Sequence, residues 1–272
     1  MERLKLGLIV GLRERPEESF AKVASLGIPT CQVGAQAESF VARSEPLEIR
    51  KAAERTGVEI SCFFLGFENQ VFNNKDGPAT MGFVAPAYRE KRLSLAKKFS
   101  DLVKEIGVKT IASHVGFIPD DEKDPIYAGF LQVMGEFIDH CKRNGQTFCF
   151  ETGQELPSTL KRTILDLGRE NVGINLDPAN LILYGKANPL DAVEIFGEYV
   201  KGFHAKDGLW PNRDEALGKE TPLGQGMVRF DLLLPRLKKK GFTGPVTIER
   251  EISGPQQIED IRKAIELLRP YL

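Results

Sequence analysis

Four residues able to ligate a metal each close a short apolar run: Glu151 in TFCFE, Asp177 in VGINLD, His204 in VKGFH and Glu249 in PVTIE. Positions 151, 177, 204 and 249 lie 26, 27 and 45 residues apart, about the spacing of successive β-α units. Three carboxylates and one imidazole brought to a point would hold one divalent cation. The set is rich in oxygen and has no thiolate, which favours Mn2+ or Mg2+, with Co2+ or Zn2+ admitted by the imidazole.

A parallel α/β barrel would bring the four together, because the C-terminal ends of all its strands meet at one face. Apolar runs near 4–11, 29–34, 59–66, 108–115, 147–152, 172–177, 200–206 and 245–250 read as strands. Between them, segments such as PLEIRKAAERTG carry apolar residues at intervals of three and four, the mark of an amphipathic helix. Several such segments end on glycine (Gly27, Gly57, Gly107, Gly145, Gly168 and Gly241), the residue that tolerates a left-handed cap. Eight strand-helix pairs without a dividing linker predict a single (β/α)8 TIM barrel over residues 1–272.

Strand side chains alternate between two faces. In the fifth run Phe148 and Phe150 oppose Thr147, Cys149 and Glu151, and in the sixth Val172, Ile174 and Leu176 oppose Gly173, Asn175 and Asp177. His204 and Glu249 likewise share the small, polar face of their strands. If the bulky face meets the helices, all four candidates point into the barrel mouth. Taken singly, an acid after a strand is more often a helix N-cap or a solvated loop residue; the joint pattern with histidine favours a metal.

Of the three histidines, His140 lies in a helical pattern beside Lys142 and Arg143 and reads as solvated. His114 closes the fourth strand in TIASHVGF, a position for a substrate ligand or for a hydrogen-bonded core residue. Two connections, 68–86 and 207–228, exceed what a barrel needs, and both follow strands; such loops serve as lids, substrate walls or plain surface decoration.

The whole chain sets limits. With 272 residues, 37 Lys+Arg against 38 Asp+Glu and a net charge of −1, nonspecific nucleic-acid or membrane-surface binding is not expected. No apolar stretch is long enough for a membrane span. The charged and then apolar start MERLKLGLIVGLRER mimics a signal peptide but lacks a small-residue cleavage site and suits a first strand. Four cysteines without a C-x-x-C pair read as reduced thiols of a cytoplasmic protein.

ETGQE at 151–155, NLDPANLILYG at 175–185, HAKDGLWP at 204–211, LGKETPLGQG at 217–226 and TIERE at 247–251 resemble the sugar phosphate isomerase/epimerase family, whose fold is the xylose-isomerase-like TIM barrel. The resemblance spans essentially the whole chain. It implies kinship with ketose 3-epimerases, hydroxypyruvate isomerases, inosose dehydratases and dehydroshikimate dehydratases. It also implies Glu151, Asp177, His204 and Glu249 as ligands of one divalent ion. The sequence departs from the ketose 3-epimerase pattern at Asn180, where a histidine is usual, and at Trp210, where an arginine is usual.

The expected chemistry is removal of a proton beside a carbonyl. A divalent ion stabilises the enediolate that forms, and a base must reach the carbon. Glu151 and Glu249 on opposite faces of a substrate would exchange that proton as acid and base, giving an epimerase or isomerase of a sugar or related polyol. Loss of a β-hydroxyl would instead make the protein a metal-dependent lyase, dehydrating a keto-inositol or 3-keto sugar. Lys206 would stabilise an oxyanion, protonate a leaving group or pair with a ligand carboxylate. Arg250 reads as structural. His114, Asn180, Lys206, Trp210 and Phe67 are the expected substrate contacts, with Phe67, Phe117 and Trp210 as an apolar wall. A metallonuclease on this barrel needs several zinc ions and many histidines, which three histidines do not supply; a noncatalytic binding barrel is the remaining class. The expected partner is a small carbohydrate, and barrels of this kind often form homodimers.

Overall fold

Period-two and period-3.6 patterns alternate along the chain, and the fold follows them. The computed structural model describes residues 3–43, 45–212 and 216–272. Among these, eight parallel strands close a barrel: β1 (Leu6–Gly11), β2 (Thr30–Gln36), β3 (Glu59–Gly66), β4 (Thr110–Ser113), β5 (Thr147–Glu151), β6 (Val172–Leu176), β7 (Val200–Ala205) and, after a hairpin, β10 (Val246–Ile248). The hairpin pairs β8 (Asp207–Leu209) with β9 (Lys219–Thr221) antiparallel. Around the ring each barrel strand neighbours the next one in sequence, and β10 closes on β1 through Leu6–Val246, Gly7–Thr247 and Leu8–Ile248.

The two faces of each strand meet different surroundings, as alternation requires. Outward residues such as Phe63, Phe148, Phe150, Ile174, Phe203 and Ile248 join the large apolar layer beneath the helices. Phe148 sits edge-on to Phe137 at 5.4 Å and to Phe150 at 5.1 Å within it. Inward residues form a second, small cluster of Cys62, Ala112 and Cys149, with Phe64 packed against it. Elsewhere the barrel interior is polar and buried: Thr30, Gln32, Asn175, His204, Lys206 and Thr247.

The six helix-ending glycines all take positive φ. The fourth and eighth strands fall furthest short of their apolar runs. The fourth covers 110–113 and the eighth only 246–248, because hydrogen-bond pairing stops where the chain turns out of the barrel. Asp177 and Glu249 stand just past β6 and β10, although the Glu249 N–H still donates to the Ala205 carbonyl at 3.1 Å.

The first long connection is only partly a surface loop. Met81, Phe83, Val84 and Ala85 are buried, and the Val84 N–H donates to the Val115 carbonyl at 3.0 Å. Buried Arg92 donates to the Gly82 carbonyl at 2.7 Å. A Cβ on Gly82 would lie 2.0 Å from the Val115 carbonyl carbon, so only glycine fits there. The exposed part of this connection precedes it and carries Phe72, 48% exposed.

Candidate metal centre

The four strand-tip residues converge. Glu151, Asp177, His204 and Glu249 each offer a ligand atom, and these atoms all lie within 4.8 Å of one another. His204 Nδ1 is 2.9 Å from Glu151 Oε1, 2.8 Å from Glu249 Oε2 and 4.0 Å from Asp177 Oδ2. No described residue satisfies Asp177 Oδ2, His204 Nδ1 or Glu249 Oε2 by a hydrogen bond, although all three atoms are buried. Buried polar atoms without partners are costly. Three that face one point fit a cation, whose ligands they would become.

The other atom of each ligand is occupied, which fixes the side chains. Asp177 is indeed a helix N-cap: its Oδ1 accepts the Asn180 N–H at 2.9 Å at the start of the helix Pro178–Leu183. The cap leaves Oδ2 without a hydrogen bond, so one carboxylate can both cap the helix and offer an atom to a metal. His204 Nε2 is 2.9 Å from Gln32 Oε1. A proton on Nε2 satisfies that contact and leaves the Nδ1 lone pair for a metal. The Asn175 amide donates to Glu151 Oε2 and accepts from Gln32 Nε2 at 3.1 Å. Gln32 and Asn175 thus form a polar shelf beneath the ligands. Their signal in the sequence is a polar residue at an inward position of an otherwise apolar strand.

Electrostatics agree with an added positive charge. Burial pushes the Asp177 carboxyl up to about 8, against the pull of Lys206. Burial also opposes the charges on His204 and Lys206, but the surrounding carboxylates outweigh it and hold both well above their ordinary values. Glu249 is held below the usual carboxylate range, since the charges of Lys206 and His204 overcome its burial. The buried Asp177 carboxyl lacks enough positive charge nearby to ionise readily, and a divalent ion would supply it. Binding would displace the proton from His204 Nδ1.

The remaining expected residues divide. Lys206 lies in the cluster, 2.8 Å from Glu251, 3.4 Å from Glu249 and 3.6 Å from Asp177, and donates to Asn180 Oδ1 at 3.3 Å. It is therefore an ion-pair partner of two ligands, with Asn180 beside it. His114 contacts Gln154 at 3.3 Å, and burial lowers its pKa. Its ring meets Phe64 and Phe72 edge-on at 5.6 and 5.7 Å. Trp210 follows β8 and is 40% exposed.

Phe67 is a correction. It is buried in the outer layer against Phe83 and Arg92, away from the mouth. Strand parity explains this, because Phe67 continues the outward series Phe63 and Leu65. The aromatic that faces the ligands is Phe64, its ring centroid 5.9 Å from that of His204. Phe117 packs on Tyr184 at 6.0 Å. His140 is not freely solvated either, since its Nε2 lies 2.7 Å from Asp101. Arg250 spans Glu220 at 2.7 Å and Asp260 at 2.8 Å, a structural tie.

Two acids beside the cluster were not anticipated. Asp207 accepts four backbone N–H groups, from Gly208, Gly224, Gly226 and Val228, at 2.9–3.0 Å. It gathers the second long connection above the site. Glu155 is buried with neither carboxyl oxygen hydrogen-bonded, and burial pushes it up to about 8.

Comparison with known proteins agrees with this architecture. The family described as xylose isomerase-like TIM barrel matches residues 20–271. A xylose isomerase domain protein from Planctomyces limnophilus has a solved structure 32% identical in sequence, with a TM-score of 0.93 over 99% of this chain and 98% of that one. A D-psicose 3-epimerase solved in the presence of D-fructose is 18% identical, with a TM-score of 0.74 over 99% of both chains. A xylose isomerase-like TIM barrel protein from Mycobacterium smegmatis, solved in complex with magnesium, is 18% identical, with a TM-score of 0.72 over 98% of both. An uncharacterized protein of Methanocaldococcus jannaschii is 25% identical over 181 residues, 62% of this chain, and the match spans 58% of that relative's length.

Proposed function

The chain belongs to the xylose isomerase-like TIM barrel family, and on that footing we propose that it is a divalent-metal-dependent epimerase or isomerase of a sugar or related polyol. The observation that carries this reading is the convergence of four ligand atoms within 4.8 Å, three of them buried without hydrogen bonds. Fold relatives that act on sugars, including D-psicose 3-epimerase, support the substrate class.

Glu151, Asp177, His204 and Glu249 would hold one Mn2+ or Mg2+; Co2+ or Zn2+ also suit the imidazole. When bound, the ion offsets the negative charge that develops on adjacent substrate oxygens during proton loss. Glu151 and Glu249 flank His204 and serve as the acid and base that exchange a proton with a substrate carbon. Asn175 keeps Glu151 oriented, and Lys206 holds Glu249 ionised. His114, Asn180 and Lys206 are the polar groups placed to contact substrate, and Trp210 is an aromatic at the rim. Phe64 takes the place expected for Phe67, excluding water beside the ligands.

Incubation of the Mn2+-loaded protein with ketoses and aldoses in D2O tests the reading. Recovered sugar should carry solvent deuterium at the reacting carbon, and its complete absence across the series would count against it. The second reading, a dehydratase, draws on Lys206, an ammonium beside Glu249 able to protonate a departing hydroxyl. It predicts release of water and an unsaturated product.

A further inference from the structure

One half of the barrel mouth carries the ligands; the other half is open. A cavity of about 850 Å3 lies over the tips of β1, β2 and β3 and reaches the metal cluster at Phe64 and His114. Its floor has a specific cause in the register. Gly11 pairs with Gly34, and Gly34 pairs with Phe64. All three are inward positions, in phase with Gly7, Gln32 and Cys62 deeper in the barrel. Where β5, β7 and the chain after β10 place Glu151, His204 and Glu249, β1 and β2 place bare backbone.

These two glycines differ from others in the barrel interior. A Cβ on Gly7 would lie 2.8 Å from Thr247 Oγ1, and one on Gly202 would lie 2.0 Å from Asn175 Oδ1, so packing demands glycine there. A Cβ on Gly11 would meet nothing within 4 Å, and one on Gly34 only the Val10 carbonyl oxygen at 3.8 Å. Neither has positive φ. Neither packing nor backbone conformation calls for glycine at these positions, and its effect is open space.

The lining selects the ligand. Arg13, Arg15 and Arg43 are matched by four glutamates, and Arg15 is already ion-paired with Glu18 at the rim. With no excess of positive charge, the cavity is not built for a phosphate. Phe64 and half-exposed Phe72 stand at its inner side, and the C–H face of a sugar ring packs on the electron-rich face of an aromatic. The volume lies in the upper part of the ~300–1,000 Å3 range of pockets that enclose drug-sized ligands. A single sugar ring at the metal would leave it to water.

We propose that this cavity is a second sugar-ring subsite, and that the natural substrate is an uncharged disaccharide or glycoside. Its reacting ring sits at the metal cluster and its second ring lies on the Gly11–Gly34 floor beside Phe72. The proposal rests on the metal-site reading for the reacting ring alone.

Isothermal titration and saturation-transfer NMR on the chain loaded with diamagnetic Mg2+, with cellobiose, maltose, lactose, sucrose and trehalose against glucose, galactose and fructose, read binding directly. At least one two-ring sugar should bind ten-fold or more tightly than either component monosaccharide, with saturation transferred to both rings. Gly34→Phe and, separately, Gly11→Leu should bring that affinity down to the monosaccharide level, with thermal melts confirming that each variant is folded. Two-ring sugars no tighter than monosaccharides would overturn the proposal, as would an advantage that survives both substitutions or tighter binding of glucose 6-phosphate than of every disaccharide. Failure of the metal reading would show separately, as absent Mn2+ uptake or absent deuterium exchange.

Discussion

His204 carries its two ring nitrogens into different company: Nε2 against the Gln32 amide, Nδ1 among carboxylates. The division fixes which nitrogen can ligate. Replacing Gln32 by alanine removes the acceptor 2.9 Å from Nε2, leaving that nitrogen only the Asn175 amide at 3.0 Å. Mn2+ affinity measured by titration should fall about 10–100-fold, the usual cost of losing such an outer partner. Glu155 makes a different prediction, measured in metal-free protein. Its carboxyl has an ordinary value of 4.5 and is raised by burial to about 8. Below about 4.5 the folded and unfolded chains both keep the proton. Through the window up to about 8 the unfolded chain releases it while the folded chain retains it, so folding loses stability as pH rises. Glu155→Gln should therefore match wild type in denaturant melts at pH 4 and exceed it by a few kcal/mol at pH 9, since each tenfold change in proton affinity is worth ~1.4 kcal/mol. An equal gap at both pH values would contradict this. Nothing in the sequence announces that burial, because the neighbours that cover Glu155 come from other parts of the chain. The convergence of the four candidate ligands was legible because each closes its own apolar run. Phe64 was equally legible by parity, which separates it from Phe67.

At the scale of elements, the long connections are tied down rather than free. Asp207 is the clearest tie, since one carboxylate holds four N–H groups of the 208–228 segment. Asp207→Ala leaves those donors without their acceptor. Hydrogen exchange at Gly224, Gly226 and Val228 should accelerate strongly, and stability should fall by about 2–4 kcal/mol, as expected when hydrogen bonds to a buried charge are lost. Unchanged exchange at these amides would show that the hairpin is held by other contacts. The sequence marked this connection by its length and glycines alone, since an aspartate after a strand does not reveal which distant amides it will collect. In the first connection, the burial of Met81–Ala85 was likewise hidden, because a glycine-rich stretch reads as surface until its packing partners are known.

The whole molecule was the most legible level. Eight alternating units of strand and helix dictate closure, and closure carries residues that are 26 to 45 positions apart to one rim. What alternation alone did not expose is the asymmetry of that rim: candidate ligands on one side, bare glycine and a cavity on the other. That asymmetry depends on which inward position of each strand reaches the mouth, a matter of register between strands. No helix among the described residues is long and apolar enough to cross a membrane. The reaction proposed for the mouth depends on the cation. The most direct measurement is electron paramagnetic resonance of Mn2+ titrated into EDTA-stripped protein, beside the Asp177→Ala and His204→Ala variants. One Mn2+ per chain should bind in the wild type, with binding weakened at least ten-fold in each variant; a wild type that takes up none of the added ion, or variants that bind it as tightly, would contradict the account.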